Sequence, residues 1–186
     1  MKHHSLENVA VRLDPLFMDH FSNLWPIAQQ LDIHLFGPSD ISTPEKLKTY
    51  ISMAIEEVSM GKSLPYAIFH KERQEYIGCT RFGSIDWINK VLHIGWTWIS
   101  PDSQGTGINA QVKSLMLQHA FEVLGFEKVE FRIDERNIRS RRAVEKIGGV
   151  LEGILRENMI VKNGVRRNSC CYGILKREWM ARMDYN

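Results

Sequence analysis

The sequence predicts a mixed α+β domain with an antiparallel meander at its centre. Apolar periodicity switches repeatedly between two and about 3.6 along the chain. Three strand-like runs in the middle follow one another through short polar turns. The resulting order is β, two helices, three strands, helix, strand, helix and two strands, and no repeat or low-complexity tract interrupts it.

Val9 to Leu13 alternates apolar and polar as a short strand does. Asp19 to Leu31 has helical spacing through Phe21, Leu24, Trp25, Ala28 and Leu31, and Pro26 is expected to kink or split it. Gly37-Pro38-Ser39-Asp40 reads as a loop. Thr43-Pro44-Glu45 supplies an N-cap, a proline at the first helical position and an acid in the first turn. That helix runs to about Met60, where Gly61 ends it.

Pro65 to His70, Tyr76 to Ser84 and Val91 to Ile99 are the three meander strands. Thr106 to Leu124 is the longest predicted helix, with Val112, Leu115, Met116, Ala120, Val123 and Leu124 on its buried stripe. Lys128 to Asp134 is a strand, and Ile138 to Ile147 is a short helix closed by Gly148-Gly149. Val150 to Val161 and Val165 to Leu175 form a hairpin around Lys162-Asn163-Gly164.

At 186 residues, one domain spanning 1–186 is the expectation, with enough chain for a substantial core. A composition 44% hydrophobic and 25% charged excludes disorder, and a net charge of +2 argues against a general nucleic-acid binder. Cys79, Cys170 and Cys171 fit neither a disulfide framework nor a zinc site, so no metal is expected and the thiols read as reduced, as in the cytoplasm. No apolar run approaches a membrane span, and Met1-Lys2-His3-His4 lacks the apolar stretch of a secretory signal.

The chemistry concentrates at Trp98 to Ala110, W-I-S-P-D-S-Q-G-T-G-I-N-A. An apolar run stops at Ser100-Pro101, two glycines follow in a polar turn, and a helix begins. Strand, glycine turn and helix N-terminus together hold phosphate well, because the first helical amides lack intrahelical partners and the helix dipole favours an anion. No Gly-Lys-Ser/Thr follows, so this is not a P-loop. G-T-G with Ala110 meets a dinucleotide fingerprint only in part. A helix that simply starts with glycines remains the plainer alternative for the turn alone.

Q-G-T-G-I-N at Gln104 to Asn109, R-N-I-R-S-R-R-A-V-E-K-I-G at Arg136 to Gly148, and L-E-G at Leu151 to Gly153 occur in this order and spacing. With the element order, they make the chain resemble the GNAT superfamily of acyl-CoA-dependent N-acetyltransferases, and within it the RimJ/RimL branch, whose members acetylate ribosomal-protein N-termini. The resemblance covers roughly Val9 to Trp179. It implies a mostly antiparallel twisted sheet of about seven strands, splayed between the fourth and fifth, flanked by about four helices.

It also implies that acetyl-CoA lies in the splay. Its pantetheine arm pairs with the backbone of Thr97, Trp98 and Ile99, as an added strand does. Its pyrophosphate sits on the turn formed by Gln104, Gly105, Thr106, Gly107, Ile108, Asn109 and Ala110. Asn109 replaces the family's second glycine or alanine. Asn137 matches an asparagine that bonds the pantetheine amide, and it equally reads as a helix N-cap. Arg141 or Arg142 is placed to pair with the CoA 3′-phosphate, against the alternative of a solvated basic face on a helix that also carries Arg139 and Lys146.

Transfer requires a neutral amine, an oxyanion donor and help for the leaving thiolate. The implied oxyanion donor is a backbone amide near Trp98. The tyrosine acid of many members falls at Val144, and Ser140 is the residue expected near the CoA sulfur. A glutamate slot after L-E-G falls at Met159. The base is therefore left among Glu157, Glu130, His93 and water in the cleft. Arg81 and Arg156 are candidates to hold the acceptor.

The implied function is direct acetyl transfer to a primary amine, either a protein N-terminus such as that of a ribosomal protein or a small molecule. A homodimer is compatible with it. The rivals are a non-catalytic acyl-CoA sensor and a nucleotide-binding domain with a similar turn.

Overall fold

The computed structural model describes residues 3–30, 36–37, 39–161 and 164–183. Its strands are β1 (Leu6–Glu7), β2 (Val11–Pro15), β3 (Leu64–His70), β4 (Glu75–Asp86), β5 (Val91–Ile99), β6 (Lys128–Asp134), β7 (Val150–Ile160) and β8 (Arg166–Leu175). Its α-helices are α1 (Phe21–Ala28), α2 (Pro44–Ser59), α3 (Ile108–Gln118), α4 (Ile138–Lys146) and α5 (Lys176–Met183). The strands form one sheet in the order β1-β2-β3-β4-β5-β6-β8-β7. Every neighbouring pair is antiparallel except β5–β6, which is parallel and joined through α3.

Each face of the sheet buries its own core. On one, Val112, Met116 and Leu117 of α3 and Trp179 of α5 pack with Leu92, Ile94, Val129 and Phe131. On the other, Leu24 and Ala28 of α1 and Leu47, Ile51 and Ala54 of α2 pack with Ala67, Cys79 and Trp98. Alternation along each strand supplies both faces at once.

The local rules hold at most boundaries. Thr43 caps α2 by accepting from the Lys46 amide at 3.3 Å, with Pro44 at the first position. Gly61, at φ +68°, lets the chain leave the helix. The meander, β6, α4 and the two C-terminal strands lie where periodicity placed them, within one or two residues at most ends.

Four expectations need correction. β1 is a two-residue strand, too short for any alternation to show. α5 follows β8 without a break, and its sequence carries little apolar periodicity beyond Trp179. Pro26 does not split its helix, because it sits in the last turn of α1, which ends at Ala28. The predicted Thr106–Leu124 helix begins at Ile108 and passes after Gln118 into a π turn, His119–Val123. Leu124 N therefore bonds His119 O at 2.9 Å. The wider turn shifts the helical phase, so Phe121 is buried and Val123 is 64% exposed. Leu31, Pro38 and the Lys162-Asn163 tip of the expected hairpin turn lie outside the described residues.

Candidate active site

The site begins where β5 and β6 separate. They pair only at Val91–Lys128, Leu92–Val129 and His93–Glu130. Beyond that rung, β5 carries a bulge: Arg81 opposes Gly95, Cys79 opposes Trp98, and Trp96 adopts φ +49°. The extra residue puts Thr97 where regular alternation would put Trp96, and it sends Trp98 into the core on the α1–α2 side. Among the described residues, the β6-facing edge of β5 from Ile94 to Ile99 has no strand partner, which leaves room for an extended ligand to pair there. Thr97, Trp98 and Ile99 belong to this stretch, with Trp98 opposite Cys79 of β4 and Ile99 O accepting from Gln104 Nε2.

His93 holds the fork open. Its Nε2 accepts from the Arg132 backbone amide at 3.0 Å, so the imidazole takes the place of the next ladder bond. Burial, reinforced by the charges of Arg132, Lys113, Arg167 and Arg81, lowers the His93 pKa to about 3. The ring is neutral and its acceptor nitrogen is occupied. With Nε2 accepting from Arg132, the neutral ring has no free lone pair for a further proton in this arrangement.

At the far end of β5 the chain makes a 3-10 turn, Pro101–Ser103, before the two glycines. Gly105 and Gly107 have φ of +81° and +90°, a conformation that side chains resist. A Cβ at either would meet no heavy atom within 4 Å, so the surface above them is open. Among the described residues, the amides of Gly105, Thr106 and Gly107 make no hydrogen bond. The Asn109 Oδ1 is buried without a partner. Gln104 spans the mouth of the fork: its Nε2 donates to Ile99 O at 3.0 Å, while its Oε1 accepts from Arg139 of α4.

On α4, Asn137 is a cap, its Oδ1 accepting from the Ser140 amide at 3.1 Å. Ser140 is partly buried, and its hydroxyl makes no hydrogen bond among the described residues. Val144 is buried in the core and offers no proton. Arg141 is committed elsewhere, donating to the Tyr172 hydroxyl at 3.0 Å and to Glu135 O at 3.2 Å. Arg142 is exposed and stays available for an anion.

The carboxylates expected as bases sit on β7 and at the root of the fork on β6. Glu157 is exposed at φ +49°, in a bulge of β7 between the Leu155–Ser169 and Met159–Arg167 pairs. β8 lies between β7 and β6, so Glu157 stands two strands from the β6 bank of the fork. Glu130 is bound to Lys128 at 3.1 Å, and Arg156 is exposed on β7.

A cleft of about 330 Å³ opens beside the bulge, lined by Asp40, Lys46, Tyr50, Glu57, Arg81 and Trp96 among others. Arg81, 5% exposed at its side chain, donates to Glu57 at 3.0 Å, and its guanidinium lies 4.3 Å over the Trp96 ring and 5.0 Å over Tyr50. Glu57 was missed from the sequence because it reads as one of several acids on an exposed helix face. Lys113 was missed too, although it is a lone charge inside the apolar stripe of α3, at 7% exposure.

Against known families, the model of the acetyltransferase (GNAT) domain matches residues 11–150. The chain belongs to the GNAT acetyltransferase family.

Within that family the chain is 32% identical over 102 residues to the Bacillus subtilis (strain 168) protein named "Putative ribosomal N-acetyltransferase YdaF", covering 55% of each chain. It therefore spans about half the length of that curated relative. A GCN5-related N-acetyltransferase from Brucella melitensis superposes with a TM-score of 0.88 at 26% identity, over 97% of this chain and 82% of the other. A putative acetyltransferase from T. thermophilus gives 0.86 at 30% identity, over 98% and 96%. GNAT acetyltransferases draw their acetyl group from acetyl-CoA. No group of three or more potential ligands that could hold a metal occurs among the described residues.

Proposed function

We propose that this protein transfers the acetyl group of acetyl-CoA directly to a primary amine. One observation carries the reading: the unpaired edge of β5 runs straight into the open amides of the glycine turn. An extended, amide-bearing arm ending in a pyrophosphate matches both parts together. NAD and ATP have a pyrophosphate but no amide arm to pair with the strand.

In this reading Thr97, Trp98 and Ile99 pair with the pantetheine, and residues Gln104 to Ala110 hold the pyrophosphate. Asn137 bonds a pantetheine amide while capping α4, and Arg142 meets the 3′-phosphate. A β5 amide near Trp98 faces the developing oxyanion. Ser140 hydrogen-bonds the sulfur from α4 and polarises it. The cleft beside Trp96 receives the acceptor, with Glu57 and Arg81 in its wall. Water there takes up the proton that the amine sheds.

The acceptor is a protein N-terminus, such as that of a ribosomal protein, or a small amine; the relative YdaF is named as a ribosomal N-acetyltransferase. The domain works in the cytoplasm as one unit, alone or as a homodimer, without nucleic acid or membrane. No helix of the described residues is long and apolar enough to cross a membrane.

Calorimetric titration with acetyl-CoA, NAD and ATP tests the donor. Micromolar binding of acetyl-CoA alone is expected, and a mass-spectrometric screen of N-terminal peptides and amines then identifies the acceptor. Absence of acetyl-CoA binding overturns the proposal. Binding without transfer to any amine favours the sensor instead.

A further inference from the structure

Lys113 lies on the buried face of α3, among Val112, Met116 and Leu117. An ammonium there lacks water and needs compensating partners. Its Nζ donates to the Thr97 Oγ1 at 2.6 Å and sits 6.0 Å from the centre of the Phe131 ring. Thr97 belongs to β5 and Phe131 to β6, both past the last rung at His93–Glu130. Lys113 thus rises from α3 to the floor of the fork and meets both of its banks.

The pairing is incomplete. An ammonium offers three N–H donors. Thr97 Oγ1 takes one and is itself 2.8 Å from Thr80 Oγ1, and among the described residues no carboxylate pairs with Lys113. The titratable group facing it from β5 is His93, which is neutral. β4 contributes Thr80 and β6 contributes Phe131. Burial lowers the Lys113 pKa to about 7. A proton held there is easily given up and easily regained at neutral pH.

We propose that Lys113 is the proton donor to the CoA sulfur as the thioester breaks, filling the part for which Val144 has no proton. This rests on the acetyl-transfer reading above. The amine nitrogen bonds to the acyl carbon, and the carbon–sulfur bond breaks with its electron pair on sulfur. Lys113 passes one proton to that sulfur, so CoA leaves as the thiol. The amine nitrogen sheds one proton to cleft water, and neutral Lys113 takes one back from water before the next turnover. Ser140 orients the sulfur from the other side and transfers no proton.

The test uses the full chain, with Lys113→Met and Lys113→Gln as parallel variants, each checked for wild-type-like thermal unfolding. Calorimetry gives acetyl-CoA affinity, and single-turnover kinetics give the transfer rate against pH. The expected result is affinity within about threefold of wild type, transfer slowed roughly 100-fold, and loss of the wild-type decline in rate at alkaline pH. The wild-type pH profile alone decides the matter if neither variant folds, since a single-turnover rate that does not decline above about pH 7 overturns the proposal. Unchanged rate and pH profile in the variants overturn it as well. So does weakened affinity with an unchanged rate, which would make Lys113 a cofactor-holding residue. Failure of the wild type to bind acetyl-CoA would instead bring down the acetyl-transfer reading itself.

Discussion

The His93 imidazole and the Arg132 backbone amide are hydrogen-bonded across the point where β5 and β6 part, at 3.0 Å. Two parallel strands that stop pairing leave buried amides to satisfy. Here one side chain supplies the acceptor and also spaces the strands.

This wedge depends on Gly95. A Cβ at that position would lie 2.6 Å from the His93 Cε1, inside any tolerable contact. Gly95→Ala should push the ring off the Arg132 amide, destabilise the fold by about 1–3 kcal/mol, and weaken acetyl-CoA binding through a misshapen fork. Denaturant unfolding and calorimetry on the same variant check both effects. Wild-type values for both would show that the ring has another resting place.

Stability should fall as the solution becomes acidic. Burial holds the His93 pKa at about 3, and burial with the nearby His4 holds His119 at about 4. An unfolded imidazole protonates near its ordinary value of about 6.5. Between these limits the unfolded chain binds more protons, so stability is fully present above about pH 6.5 and declines towards pH 4. Each histidine contributes at most about 1.4 kcal/mol per pH unit in that window. Melting temperatures from pH 8 to pH 4.5 measure the slope, and His119→Gln should flatten it in part.

Much of this architecture was legible in the chain. Periodicity located β3, β4, β5, β6, β8, α2 and α4, because each buries part of its surface and turn chemistry bounds many of them, as at Gly61, Ser100-Pro101 and Gly148; β7, exposed along nearly its whole length, was found through its turn to β8. The glycine turn was legible because positive φ at Gly105 and Gly107 leaves a mark in residue type. The bulge at Trp96 and the π turn at His119, one extra residue each, and the bulge at Glu157, two extra residues, were not, since none of them uses a glycine. These shifts decide which side chains reach the fork. His93 is tied instead by its bond to the Arg132 amide, and Glu157 is set by its strand, which lies beyond β8.

Gly107 ends the turn and opens α3 at φ +90°, with open space where a Cβ would go. Gly107→Ala therefore adds backbone strain and no clash, about 1–2 kcal/mol. The chain relieves this strain most readily by turning the free amides away from the ligand. Affinity for acetyl-CoA should drop about tenfold or more, while affinity for a pantetheine fragment lacking the pyrophosphate changes little. Equal losses for both ligands would place the pyrophosphate elsewhere.

Glu57 and Arg81 meet at 3.0 Å in the wall of the cleft, the acid partly exposed and the base buried. Glu57→Ala leaves the guanidinium unpaired next to Trp96, with its Nε already lacking a partner. A destabilisation of about 1–3 kcal/mol is expected, below that of a fully buried pair because Glu57 reaches solvent. Glu57→Gln retains a hydrogen-bond acceptor and should lose less. If the cleft receives the amine, both variants raise KM for the acceptor and leave acetyl-CoA affinity intact. Unchanged acceptor KM in Glu57→Gln would move the acceptor site off this cleft.

Direct transfer predicts that no acetyl group stays on the protein. Cys79 is fully buried beside Tyr50 and Arg81, and burial pushes its thiol well above the ordinary range, so thiolate is scarce at neutral pH. Cys170 is also buried and raised for the same reason. Both lie on paired strands, β4 and β8, away from the free edge of β5. Incubation with radiolabelled acetyl-CoA, followed by denaturation and gel filtration, should leave the protein fraction without thioester-linked label. A stoichiometric label released by hydroxylamine would establish an acetyl-enzyme and with it a two-step reaction.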